Sequence, residues 1–236
     1  MRIDGRRPDE LRPIKITSHY QSHPHGSCLI EMGNTRVICS AMMEEAVPPF
    51  LKGKGTGWLT AEYSMLPGSS SQRIVRERAK VGGRTHEIQR LIGRSLRACV
   101  DLKAFGERSL LIDCDVLDAD GGTRTASITG AYVAVCLALK KMGVAVPALS
   151  SAVQAAVGAV SVGVVNGTPC LDLNYEEDKA AAVDMNVVRT SKEKFIEVQG
   201  TAEGAPFDEK ELESLLALAK KGISELFHIQ QKALQV

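Results

Sequence analysis

The stretch Asp118-Ala-Asp-Gly-Gly-Thr-Arg-Thr-Ala-Ser-Ile-Thr-Gly130 decides how the rest of the chain is read. It leads out of an apolar strand, passes through paired glycines and an arginine, and enters a segment rich in small helix-compatible residues. Glycines let the backbone take φ > 0 and present successive N–H groups to an oxyanion. The start of a helix adds partial positive charge, and Arg124 adds a planar donor fork suited to phosphate. The layout is that of an anion-binding turn. It is not a Walker loop, because the GxxxxGK[ST] spacing is missing and arginine stands where lysine would.

Helices flank this turn in the pattern. One is expected from about Thr125 to Met142, with Gly143 as its natural stop. Another is expected from Thr85 to Val100, where Ile88, Leu91, Ile92, Leu96, Cys99 and Val100 repeat at three-four spacing while Arg90, Arg94 and Arg97 take the opposite face. Thr85 reads as its N-cap, which places Arg84 just outside the helix start, beside the free N–H groups. A third begins at Asp208, with Glu211 three residues on, and carries Leu212, Leu215, Leu216, Ala219, Ile223, Leu226 and Phe227 as a core-covering face.

Two hairpins are also legible. Gly26 to Met43 alternates two short apolar runs around Gly33-Asn34, and Ala159 to Leu173 repeats the arrangement around Asn166-Gly167. Each is followed by a further strand-like segment and a helix, so the pattern allows two copies of a mixed α/β unit.

Composition narrows the function classes. The 236 residues are 44% hydrophobic, enough for a sizeable core. Aromatics are only 4%, which argues against reading nucleic acid mainly on aromatic platforms. The formal net charge is +1, so a polyanion site has to come from local clustering. The six cysteines sit mostly among apolar neighbours with no CxxC and are expected to be reduced core residues of a cytoplasmic protein. The charged start Met1-Arg-Ile-Asp-Gly-Arg-Arg7 does not read as a signal peptide. Val144 to Val165 is apolar on average, but Pro147, Ser150, Ser151, Gln154, Gly158, Ser161 and Gly163 speak against a membrane span.

Charge does cluster. Between Arg73 and Arg108 ten Lys or Arg stand against four Asp or Glu, a footprint that suits a phosphate backbone as well as a solvated helix face. Further on, Tyr175-Glu-Glu-Asp178 precedes Asp184-Met-Asn186. A strand from Ala180 to Val188 would put Ala182, Asp184 and Asn186 on one face, with Asp178 where that strand begins. Two carboxylates so placed can hold a hard divalent cation, or one can exchange a proton with substrate.

Arg84-Thr-His-Glu-Ile-Gln-Arg90, Asp113 through Gly130, and Glu177-Asp178 through Asp184-Met-Asn186 together resemble the ribonuclease PH family. So do Met1-Arg-Ile-Asp-Gly-Arg6, Leu11-Arg-Pro13, Gly57-Trp-Leu-Thr-Ala-Glu-Tyr-Ser-Met-Leu-Pro67 and Glu197-Val-Gln-Gly-Thr-Ala-Glu-Gly204, in order along nearly the whole chain. The resemblance implies an α+β fold, a two-layer α/β sandwich of two pseudo-repeated halves like ribosomal protein S5 domain 2, forming one domain over residues 1–236. It implies a phosphate-dependent 3′-to-5′ exoribonuclease that trims the 3′ ends of tRNA precursors and other RNA, releases nucleoside diphosphates and assembles as a homo-hexamer, a trimer of dimers. Carried over position by position, Arg84, Gly122, Thr123 and Arg124 would bind inorganic phosphate, the co-substrate. Asp178 and Asp184 would be the catalytic carboxylates associated with Mg²⁺. Arg73 and Arg76 match basic positions associated with RNA handling and ring contacts, and Arg90 and Arg97 join them as candidate RNA-binding residues. A non-catalytic RNA-binding ring subunit of an exosome-like complex is the alternative; the joint presence of Arg84, Arg124, Asp178 and Asp184 speaks against it. The chain departs from the family pattern at Gly68, where an arginine is usual, and in a loop before Gly82 that is about two residues shorter.

Overall fold

The computed structural model describes residues 2–77, 80–143 and 152–235. Val144 to Ser151, the first part of the apolar stretch weighed above as a membrane span, lie outside the described residues. Among the described residues no helix is long and apolar enough to cross a membrane.

Strands β1 (Ile14–Ser18), β2 (Gly26–Met32) and β3 (Thr35–Glu44) form an antiparallel meander, with β2 and β3 joined at Gly33-Asn34. Then come β4 (Trp58–Met65), helix α1 (Gly83–Arg97) and β5 (Ser109–Asp118). β5 inserts between β3 and β4, antiparallel to the first and parallel to the second, giving the order β1-β2-β3-β5-β4. Parallel neighbours need a crossover, and α1 supplies it. Its residues Ile88, Leu91, Ile92 and Leu96 are buried, each contributing about 1.5–3 kcal/mol by leaving water.

The second sheet has the order β7-β6-β8-β9 and is antiparallel throughout: β6 (Val157–Val165), β7 (Thr168–Leu171), β8 (Val183–Thr190) and β9 (Phe195–Ala202). A short helix α3 (Tyr175–Ala180) stands between β7 and β8, and the long α4 (Glu209–Leu234) closes the chain. Each half therefore sets one sheet against helices. The strand connections differ, since only the first half carries a parallel pair.

Between these elements lies α2 (Thr123–Lys141), which packs against β2 and β3 on one side and β6 on another. Its buried residues run through almost every position from Thr123 to Leu139, the mark of a helix enclosed all round. α4 covers β6 and β7 and reaches α2, where the buried Gln230 Nε2 donates to the carbonyls of Thr129 and Val157, both at 2.9 Å. One hydrophobic core runs through both sheets. The N-terminus of α2 is thus fixed where the two halves meet.

Candidate active site

The glycine turn is held from behind by a buried ion pair. Arg12 donates from Nε (3.0 Å) and Nη2 (2.7 Å) to the two carboxylate oxygens of Asp172, which is 0% exposed, and its Nη1 donates to the carbonyl of Asp120. Gly121 and Gly122 both have φ near +70°, at +76° and +66°. A Cβ on Gly121 would lie 2.6 Å from the Leu173 carbonyl oxygen and 2.9 Å from the Tyr175 nitrogen. The turn is therefore pressed directly against the backbone that opens α3, a packing that needs glycine for both its conformation and its size. Asp120 Oδ1 accepts from the Tyr175 N–H at 3.2 Å and ties the two segments again.

Helix starts fall into two groups. α3 and α4 carry complete capping boxes, Asn174 with Glu177 and Asp208 with Glu211. α1 and α2 have glycine N-caps, Gly82 and Gly122, and no capping side chain. Uncapped first-turn N–H groups together with the helix dipole favour an anion. Thr123 is held in place by its Oγ1, 2.9 Å from the buried Tyr63 hydroxyl. Burial raises the Tyr63 hydroxyl above its ordinary value, while its bond to Thr123 and the charges of Arg84 and Arg124 pull the other way.

These parts open into a cavity of about 800 Å³. Arg73, Arg84, Gly122, Thr123, Arg124, Asp178 and Asp184 all line it, as do Asp120, Ser161, Tyr175 and Asn186. Residues separated by a hundred positions in the chain thus converge on one volume. Arg84 is the second residue of α1, so it lies inside the first turn; the helix starts two residues before the Thr85 expected as its cap. A Gly82 N-cap leaves no polar signature in the sequence, which is why Thr85 was the better visible candidate. Likewise Asp178 sits on α3, and β8 begins at Val183 instead of Ala180, because Asn174 and Glu177 cap a helical turn first. Asp184 and Asn186 do share one face of β8, with Val183, Met185 and Val187 buried on the other.

Asp178 feels the charge of Asp184. Partial desolvation raises the Asp178 carboxyl, and the charge of Asp184 raises it further; Arg124, Arg84 and Arg12 oppose this without cancelling it. Arg124 is only 15% exposed in its side chain and is shared by two neighbours, Gln199 Oε1 at 2.9 Å and Glu87 Oε1 at 3.3 Å. Both bonds run from Nη1, which fixes the guanidinium at the cavity wall.

The other basic candidates lie elsewhere. Arg97 is half-buried with its guanidinium 5.2 Å over the Trp58 ring, and its Nη1 donates to the Leu59 carbonyl at 2.9 Å. Arg76 is exposed and its charge acts on Asp115, and Arg90 is exposed on α1; none of the three lines the cavity. At position 68 a side chain would meet open space, and the Ser70-Ser71-Gln72 segment forms a hydroxyl-rich wall beside Arg73. Arg12, Asp172, Tyr63 and Asp120 were not among the site residues expected from sequence. Arg12 and Tyr63 lie within the family-like motifs and Asp120 directly before the paired glycines, whereas Asp172 carries no local signal.

Two family models match the chain, the 3′ exoribonuclease family domain 1 over residues 10–144 and domain 2 over residues 155–222. The chain belongs to the 3′ exoribonuclease family, on its ribonuclease PH branch. The Ribonuclease PH of Neisseria meningitidis serogroup B is 59% identical over 232 residues, covering 98% of this chain and 96% of that protein. Among solved structures, rice (Oryza sativa) Rrp46 superposes with a TM-score of 0.81 at 18% identity over all of both chains. The Archaeoglobus fulgidus exosome with RNA bound to the active site matches with a TM-score of 0.79 at 22% identity, over 96% of this chain and 91% of that one. These two likenesses are of fold.

Proposed function

We propose that this protein is a phosphate-dependent 3′-to-5′ exoribonuclease that shortens the 3′ ends of tRNA precursors and other RNA, working in the cytoplasm as a single-domain subunit of a homo-hexamer. The observation that carries the reading is the convergence of Arg84, Arg124, an uncapped helix start and the pair Asp178 and Asp184 on one cavity. Six buried free cysteines suit a reducing compartment.

The chemistry needs no nucleophilic side chain. Inorganic phosphate, held by Arg84, Arg124 and the N–H groups after Gly122, turns one oxygen toward the phosphorus of the terminal phosphodiester. A new P–O bond forms, the bond to the 3′ oxygen of the preceding nucleotide breaks, and that oxygen takes up a proton on the side where Asp178 and Asp184 stand. One nucleoside diphosphate leaves and the RNA is shorter by one residue. Both partners are anions, so the arginines do the electrostatic work of bringing them together. The two carboxylates, whose mutual repulsion a cation would relieve, suit Mg²⁺ bound through one or two carboxylates plus substrate phosphates. Among the described residues no group of three or more His, Cys, Asp or Glu is set to hold a metal alone, so substrate oxygens would complete its shell. Bound there, Mg²⁺ would screen charge on the scissile phosphate.

Purified protein is expected to shorten RNA from its 3′ end only when inorganic phosphate is supplied, with nucleoside diphosphates identified by chromatography. Monophosphate release without phosphate would sink the mechanism, and complete inactivity would favour a ring subunit that only binds RNA.

A further inference from the structure

Among the described residues eight large apolar or aromatic side chains are exposed: Ile3, Tyr20, Met42, Phe50, Val75, Tyr175, Phe195 and Val198. Of these only Tyr175, at 51% exposure, lines the cavity, and among the described residues no other aromatic side chain lines it. Its backbone is held tightly in spite of that exposure. The N–H is bonded to Asp120 Oδ1, the preceding Asn174 closes a capping box, and Gly121 packs against the Tyr175 nitrogen. A ring with so little packing on so fixed a mount is a presented surface.

Tyr175 and Asp178 are three residues apart on α3, so they are neighbours on one side of that turn. Phosphates in the cavity are drawn to Arg84 and Arg124, and the scissile phosphodiester to the neighbourhood of Asp178. What remains of the nucleotide beside Asp178 is its sugar and base. We infer that Tyr175 is a stacking platform for the base next to the scissile phosphodiester, gripping the RNA 3′ end without regard to its sequence. Every base has a π-face, and one aromatic contact of this kind holds a strand without hydrogen-bond readout. With a single ring in the cavity the grip extends to one base, which lets the strand advance after each release. This assignment rests on the RNA-directed function proposed above.

The test separates the two. RNA binding without phosphate is followed by the fluorescence of Tyr175→Trp against the parent protein, whose one tryptophan is Trp58. Stacking predicts quenching of the added tryptophan by oligoadenylate, stronger than by oligouridylate. In turnover assays Tyr175→Ala should raise KM for RNA about tenfold, with KM for phosphate unchanged. Tyr175→Phe, which keeps the ring, should restore the parental KM. A Phe variant as impaired as Ala would assign the hydroxyl instead and overturn stacking. An Ala variant with unaltered RNA KM, absent quenching, or a changed oligomer size in the Ala variant would overturn it as well. A parent protein that releases no nucleoside diphosphate would defeat the reaction proposed above, while the quenching result would still decide the platform.

Discussion

At the scale of single residues, the walls of the cavity are backed by buried arginines, Arg2 and Arg12, that do not line it. Arg2, from the N-terminal segment, donates through Nε to Glu177 Oε1 at 2.6 Å, and both side chains are almost fully buried. Burial alone would raise the Glu177 carboxyl, but the bonds from Arg2 and the Asn174 N–H outweigh it and hold it below its ordinary value of 4.5. A carboxyl depressed in the folded state stabilises the fold above its unfolded pKa, and this contribution is lost as pH falls through the folded value. Stability should therefore decline on acidification below about pH 4.5, in part through this group. Glu177→Gln leaves Arg2 buried beside a neutral partner. It should cost about 3 kcal/mol at neutral pH and show a shallower loss below pH 4.5 than the parent. Denaturant unfolding at stepped pH measures both, and parallel pH curves for the two proteins would refute the assignment.

At the scale of elements, the contact between the glycine turn and α3 couples the proposed phosphate site to Asp178. Gly121→Ala adds a Cβ 2.6 Å from the Leu173 carbonyl at φ +76°, so α3 has to move. Gly167→Ala, in the β6–β7 turn, meets φ +73° but nothing within 4 Å. Both should lose about 1–2 kcal/mol of stability from the backbone conformation. Only Gly121→Ala should lose turnover, by roughly a hundredfold, because a displacement of about 1 Å in a catalytic group costs on that order. Equal turnover in the two variants would show that α3 floats free of the turn. The same elements show what the chain reveals before folding. The turns Gly33-Asn34 and Asn166-Gly167, the start of α4 at Asp208 and the anion-binding turn itself are local, and local residues announce them. The insertion of β5 between β3 and β4 is not local, nor is the Arg12–Asp172 pair, whose members are 160 residues apart. An arginine beside a proline and an aspartate between leucines carry no mark of each other. Arg84, Arg124, Asp178 and Asp184 were legible as types suited to phosphate chemistry. Their convergence depends on long-range packing around α2.

At the scale of the whole molecule, a net charge of +1 gives no bulk attraction for a polyanion, and the cavity wall mixes Arg73, Arg84 and Arg124 with Asp120, Glu176, Asp178 and Asp184, so the proposed RNA site would act through where its arginines stand and not through overall charge. The proposed assembly into a ring is a separate property. Arg124 distinguishes the two, because its bonds run to Glu87 and Gln199 of the same chain and its fork is directed within the cavity. Arg124→Ala should reduce phosphate-dependent turnover by at least a hundredfold, the scale expected on removing one donor from a charge-stabilising site. Its mass by light scattering should equal that of the parent, which the proposed function sets at six chains. Loss of turnover with an intact assembly places Arg124 in the chemistry. Dissociation of the variant into smaller species would instead mean that the α1–α2–β9 contact around Glu87 and Gln199 shapes an interface, and the role of Arg124 in phosphate binding would then need independent support from phosphate titration of the dissociated protein.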